Sequence, residues 1–314
     1  MISIIIPIFN EVENINLLHS RLLSELLSID RIFEVIFIDD GSFDGSDELL
    51  TKICSNDSRF KLIKFRRNFG QTAAMSAGID HSIGEIIIPM DGDLQNDPKD
   101  IISLIKKIEE GYDVVSGWRK NRKDSSIKRN FPSMVANKLI SFISGVKLHD
   151  YGCSLKAYRS DVIKNVRLYG EMHRFIPIYA SWMGAKVTEI VVNHHQRIHG
   201  VSKYGLERVV KVILDLLVVK FFAKYSTKPI YVFGGFGIVI IIASFIFGSW
   251  ALWLKLFKGV SFIRTPLPLI TFMSFIIGFI SILMGLLAEL IMRTYYESQD
   301  KKIYSIKTMI NIKI

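Results

Sequence analysis

The stretch EIIIPMDGDLQNDP, residues 85–98, opens on an uninterrupted apolar run and closes on three aspartates and a glutamine. A strand that does not alternate between apolar and polar residues is buried on both faces, so this one belongs inside a sheet covered by helices on each side. Asp97 followed by Pro98 reads as a helix start, a capping carboxylate with proline at the first helical position. That leaves Asp91, Asp93 and Gln95 at the carboxyl end of a buried strand with no structural task.

The flanking sequence repeats the pattern. From residue 2 to residue 118 short apolar runs (SIIIPI, FEVIFID, FKLIKF, EIIIPM, DVVSG) alternate with helical ones (NINLLHSRLLSELL, SDELLTKIC, QTAAMSAGIDHS, KDIISLIKKIEE). This predicts an α/β domain with a parallel, Rossmann-like sheet. In such sheets ligands bind beyond the carboxyl ends of the strands. There the sequence places PIFNE (7–11), DDGSFDGS (39–46), RRNFG (66–70) and MDGDLQ (90–95).

Acids, glycines and arginines at one sheet edge suit a nucleotide diphosphate only if a cation offsets the carboxylates. Asp91 and Asp93, separated by Gly92, offer hard oxygen ligands to Mg²⁺ or Mn²⁺, and Gln95 adds a neutral oxygen. Asp39, Asp40 and Ser42 read equally as ribose or base contacts and as a turn capping a helix near Ser46. Glu11 is a base contact or a first-turn helix acid.

The chain has 314 residues, 49% of them hydrophobic, and a net charge of +10. The apolar excess lies in residues 229–254 and 266–287, both uncharged and each without a polar stripe, which predicts two membrane spans. Basic residues flank them, and the positive-inside tendency puts both termini and the N-terminal domain in the cytoplasm. Just before, LERVVKVILDLLVVKFFAKY reads as an amphipathic helix at the membrane surface. The expected division is a catalytic domain (1–204), a juxtamembrane helix (205–228), a two-helix hairpin (229–292) and a C-terminal tail (293–314). The positive charge then faces anionic lipid and substrate rather than nucleic acid. MISIIIPIF reads as a first strand, not a signal peptide. Cys54 and Cys153 fit a reducing compartment, and neither they nor His194, His195 and His199 have zinc spacing.

Taken together, PIFNE, IDDGSFDGS, RNFGQTAAMSAG and MDGDLQNDP resemble the motifs of family-two, GT-A-fold glycosyltransferases. More narrowly, HDYGCSLKAYR (149–159), GEMHRFIP (170–177) and RIHGVSKYG (197–205), followed by two spans, resemble polyprenyl-phosphate glycosyltransferases related to dolichol-phosphate mannose synthase. The resemblance implies inverting transfer of one sugar from a nucleotide sugar, expected to be a UDP-sugar, to the phosphate of a membrane polyprenol such as undecaprenyl phosphate. It implies that Pro7, Phe9, Glu11, Asp39, Asp40 and Asp91 hold the nucleotide sugar. It also implies that Asp91, Asp93 and Gln95 bind metal, and that Arg119, Arg129, Ser133, Arg197 and Lys203 bind phosphates. Asp93, Arg119 and Asp150 are its catalytic candidates.

Fixed cations are required on independent grounds, because a donor diphosphate and an acceptor phosphate repel one another. Asp150 reads as an acid orienting the acceptor side or as a turn carboxylate ahead of Gly152. GEMHRFIP shapes the sugar pocket or opens an amphipathic helix whose apolar face, Phe175, Ile176 and Ile178, meets the membrane. The rival functions are a processive polysaccharide synthase, for which no QxxRW motif is present, and a non-catalytic membrane scaffold. The expected setting is the inner membrane of a bacterium, with homo-oligomers open.

Overall fold

The computed structural model describes residues 1–120, 137, 140–141, 144–166, 168, 172–196, 230–298 and 304–312. The chain divides into two compact units, Met1–Val219 with Lys302–Ile314, and Lys220–Lys301.

In the first unit the expected alternation appears as β1 (Ile2–Ile8), α1 (Val12–Leu27), β2 (Phe33–Asp39), α2 (Ser46–Asn56), β3 (Phe60–Phe65), α3 (Gln71–His81), β4 (Ile86–Pro89), α4 (Asp100–Glu109) and β5 (Val114–Trp118). Then come β6 (Lys156–Arg159), α5 (Ser160–Ile163), α6 (Ile176–Trp182) and β7 (Val187–Val191), with β8 (Ile306–Ile310) near the end of the chain. The sheet runs β7-β5-β6-β4-β1-β2-β3-β8. Successive β1 residues feed opposite cores: Ile4 and Ile6 pack with Leu18 and Leu22 of α1, and Ile5 packs with Ala74 and Ala77 of α3. That two-sided burial is why the strands read as continuous apolar runs.

The sheet is not wholly parallel, which corrects the sequence reading. β4, β1, β2 and β3 are parallel, but β6 sits antiparallel between β4 and β5, and β8 pairs antiparallel with β3. β6 is only four residues, KAYR, two of them basic. Residues 293–314, expected as a tail, thus contain a strand of the sheet. Asp97 Oδ1 accepts the Lys99 N–H at 3.1 Å in the turn ahead of α4, but the helix begins only at Asp100, so Asp97 braces the turn into the helix and Pro98 does not stand at the first helical position that the sequence suggested.

The second unit contains α7 (Ile230–Lys258) and α8 (Leu267–Ser298), whose apolar stretches of 27 and 22 residues are long enough to cross a bilayer. They cross where Gly237 faces Gly278: a Cβ on Gly237 would lie 2.6 Å from the Gly278 carbonyl oxygen. Lipid supplies no hydrophobic drive for helix pairing, so close approach at small residues carries it. The juxtamembrane helix predicted over 205–228 lies outside the described residues.

Candidate active site

The loops after β1 and β2 interlock. The Asn10 N–H donates to Ser42 Oγ, Phe43 N–H to Asn10 Oδ1 and Glu11 N–H to Ser46 Oγ, each at 3.0 Å. Asn10 takes the left-handed conformation (φ 54°), which asparagine tolerates better than most residues. Pro7 is the penultimate residue of β1, and the Phe9 ring beyond it meets Phe43 edge to face at 6.1 Å. The Glu11 carboxylate accepts from Asn14 Nδ2 at 2.6 Å.

The DDGS carboxylates hold backbone together within and between loops. Asp39 Oδ1 accepts the Ser42 N–H at 3.0 Å, which closes the turn. Asp40 reaches into the next loop, taking the Phe69 N–H at 2.7 Å on one oxygen and the Gly70 N–H at 2.9 Å on the other. Burial pushes both carboxyls above their usual range. Gly41 (φ 74°) lets the loops touch, since a Cβ there would sit 2.7 Å from the Arg67 carbonyl carbon.

The acidic loop is braced from three sides. Asp91 Oδ1 accepts from Gln71 Nε2, at the start of α3, at 2.8 Å, and the Ser154 hydroxyl also bonds the Asp91 carboxylate. Asn96 Nδ2 donates to Ser154 Oγ at 2.8 Å, and the His195 N–H donates to the Gln95 carbonyl at 2.9 Å. His195 Nε2 lies 3.0 Å from Asp97 Oδ2, and residues 194 and 96 form a β-bridge. His194 and His195 therefore pin the acidic loop.

Asp93 Oδ1 accepts the Gln95 N–H at 3.2 Å. Burial, with the Asp93 charge adding to it, pushes the Asp91 carboxyl up to about 6. Two crowded carboxylates are what a hard divalent cation relieves, and Mg²⁺-type sites commonly take one or two carboxylates plus waters and substrate phosphates. Among the described residues no group of three or more His, Cys, Asp or Glu converges as a complete protein cage.

Arg119, just past β5, is bound on two sides by Asp150: Nε to Oδ2 at 2.7 Å and Nη2 to Oδ1 at 3.0 Å. The Gly152 N–H also donates to Asp150 Oδ1 at 3.0 Å. Asp150 is only 4% exposed. The Arg119 charge also acts on Asp91, opposing the upward push of burial on that carboxyl.

Sequence reasoning missed several members. Lys156, buried on β6, donates from Nζ to the Tyr151 carbonyl at 3.1 Å, and burial pulls its amine down to about 8. Its signal was a lone lysine inside the apolar stretch GCSLKAY. Gln71 and Ser154 left no signal in isolation. Burial pushes the Cys153 thiol up to about 11 and Cys54 up to about 12, so both are inert.

Of the GEMHRFIP segment the described residues begin at Met172. Phe175, Ile176 and Ile178 are buried in the first unit's core, which overturns the membrane-facing reading. His173 Nδ1 lies 2.7 Å from Thr72 Oγ1 on α3, and Arg174 adds positive charge toward Asp91. Arg129, Ser133, Arg197 and Lys203, along with His199, lie outside the described residues.

A model of glycosyl transferase family 2 matches residues 3–167. The dodecaprenyl-phosphate galacturonate synthase of Rhizobium johnstonii is 42% identical, over 98% of this chain and 92% of its own length. The undecaprenyl-phosphate 4-deoxy-4-formamido-L-arabinose transferase of Shewanella sediminis is 35% identical, over 98% and 92%. Among solved structures, glucosyl-3-phosphoglycerate synthase from Mycobacterium tuberculosis, in complex with Mn²⁺, UDP and glucosyl-3-phosphoglycerate, superposes with a TM-score of 0.52 at 15% identity, over 70% of this chain and 79% of its own. That likeness establishes the shared fold.

Proposed function

The chain belongs to glycosyl transferase family 2, and we propose that it transfers one sugar, with inversion, from a nucleotide sugar to a polyprenyl phosphate at the cytoplasmic face of the membrane, giving a lipid-linked sugar for modification of the cell envelope. One observation carries the reading. The braced Asp91 carboxylate is under the charge of a cation, Arg119, that Asp150 holds on both edges, in a chain that aligns almost end to end with enzymes named for polyprenyl-phosphate sugars.

Each residue then has a task. Pro7, Phe9, Glu11 and the Asp39–Asp40 turn shape the nucleoside side, Asp40 acting through the 69–70 backbone that it holds. Asp91 and Asp93, with Gln95, would hold Mg²⁺ or Mn²⁺, which supplies charge compensation for the leaving diphosphate. Gln71 and Ser154 orient Asp91. Arg119 binds phosphate, and Asp150, with both oxygens engaged, orients Arg119 rather than taking a proton. No general base is required: a phosphate monoester has its second pKa at about 6 and is largely dianionic at neutral pH. Arg129, Ser133, Arg197 and Lys203 supply the remaining phosphate contacts. The two apolar helices keep the site near an acceptor that cannot leave the membrane, which raises its effective concentration. UDP is the expected nucleotide.

The test is Asp93→Asn in detergent-solubilised protein. Transfer falls at least about 100-fold, because a ligating charge is lost, while thermal stability and membrane integration stay at wild-type values. Undiminished transfer removes Asp93 from the reaction.

A further inference from the structure

The chain returns to the catalytic sheet after its second apolar helix. β8 pairs with β3 from Leu62 opposite Ile310 to Phe65 opposite Ile306. Asn311 ties down the far end of the strand, donating from Nδ2 to the carbonyls of Cys54 at 2.5 Å and Phe60 at 2.9 Å. The near end carries contacts of another kind, because it meets the segment that runs from β3 into α3.

Three contacts converge there. The Tyr304 ring stacks on Phe65 with centroids 5.4 Å apart and planes within 12°. Its hydroxyl donates to Asp80 Oδ2, near the end of α3, at 2.6 Å. The Ser305 carbonyl accepts the Arg66 N–H at 3.1 Å. Phe65 in turn meets Phe69 edge to face at 5.6 Å. Phe69 and Gly70 donate their N–H groups to Asp40, and Gln71 reaches Asp91. The segment 66–71 is thus gripped by Asp40 and Asp91 on its ligand side and by Tyr304 and Ser305 behind it.

We propose that Tyr304, with the strand it leads into, is a positioning residue for the donor site: the stretch of chain that follows the second apolar helix sets the shape of the Arg66–Gln71 segment. The proposal rests on the reading of that segment as part of the nucleotide-sugar site. Physically, Tyr304 bridges the two elements flanking the segment, β3 through Phe65 and α3 through Asp80, so its loss frees both ends together. Donor binding is thereby made to depend on a chain whose second helix has been threaded and whose C-terminal strand has come back to the sheet.

The experiment uses full-length, detergent-solubilised protein and measures UDP affinity by calorimetry and KM separately for nucleotide sugar and polyprenyl phosphate. Tyr304→Ala weakens UDP binding and raises the donor KM about tenfold, equivalent to about 1.4 kcal/mol, with the acceptor KM unchanged. Tyr304→Phe, which keeps the stack on Phe65 and loses the bond to Asp80, gives a donor KM between those of wild type and Tyr304→Ala. Asn311→Ala, which loosens the far end of β8 without touching the donor segment, lowers the melting temperature and leaves the donor KM alone. If Tyr304→Ala fails to fold, Tyr304→Leu keeps an apolar contact with Phe65 and carries the same comparison. An unchanged donor KM, or equal rises in donor and acceptor KM, overturns the proposal. Wild-type protein that binds neither UDP nor any nucleotide sugar overturns instead the functional reading beneath it.

Discussion

Replacing Asp150 by asparagine keeps the size of the side chain and removes the charge that holds Arg119. Arg119 now makes two charge-assisted bonds to it, at 2.7 and 3.0 Å. The amide offers one acceptor oxygen and an NH₂ that faces a guanidinium N–H, so at least one bond goes. Removing one partner of a buried ion pair costs about 3–5 kcal/mol. Asparagine retains one acceptor, so the loss of stability should be about half that. If Arg119 has the phosphate-binding role proposed for it, the catalytic loss should be larger, since removing one such preorganised donor typically costs about 10²–10³ in kcat.

The assay is glycolipid formation by Asp150→Asn across a pH series, alongside thermal melting. If Asp150 only orients Arg119, kcat falls about 100-fold and the residual rate still climbs as the acceptor takes its second charge, around pH 6. If Asp150 takes the proton itself, the acidic limb of the profile vanishes with it. Transfer at the wild-type rate by a folded Asp150→Asn protein would refute the positioning argument outright.

Two other perturbations follow from local geometry. Gly41→Ala places a Cβ 2.7 Å from the Arg67 backbone at φ 74°; a left-handed non-glycine residue alone costs about 1–2 kcal/mol, and the donor KM should rise severalfold while the acceptor KM holds. Lys156 has its amine lowered by burial from 10.5 to about 8, so between those values the unfolded chain binds more protons than the folded one and stability rises with pH. A melting series over that interval should show the rise in wild-type protein and a flatter line in Lys156→Met; parallel lines would mean that Lys156 does not titrate in a buried setting.

The five leading strands were legible because each is largely buried and written mostly in apolar residues, with Lys61 and Lys64 of β3 only half-buried. The acidic loop was legible because carboxylates at a strand end have no packing reason to be there. β6 was not, because KAYR is too short and too basic to read as a strand; its place between β4 and β5 is decided by pairing with distant residues. β8 left a faint signal in the apolar residues Ile306 and Ile310, masked by the long apolar helix before it. Asp40 could be read as a turn residue, but not as the acceptor for the 69–70 backbone, since that contact joins loops that only the fold brings together. The same holds for the partnership of Arg119 with Asp150 and of Gln71 with Asp91. GEMHRFIP misled because an apolar helical face looks alike whether it meets lipid or protein, and here it meets the domain core.

The most direct test is conversion of undecaprenyl phosphate to glycolipid by the purified protein, with Mg²⁺ or Mn²⁺ and a panel of UDP- and GDP-sugars, in the presence and absence of a chelator. The account predicts product from a UDP-sugar, abolished by chelator and restored by added metal. Product formation indifferent to chelator would contradict the role given to Asp91 and Asp93, and no product from any donor in the panel would contradict the transfer itself.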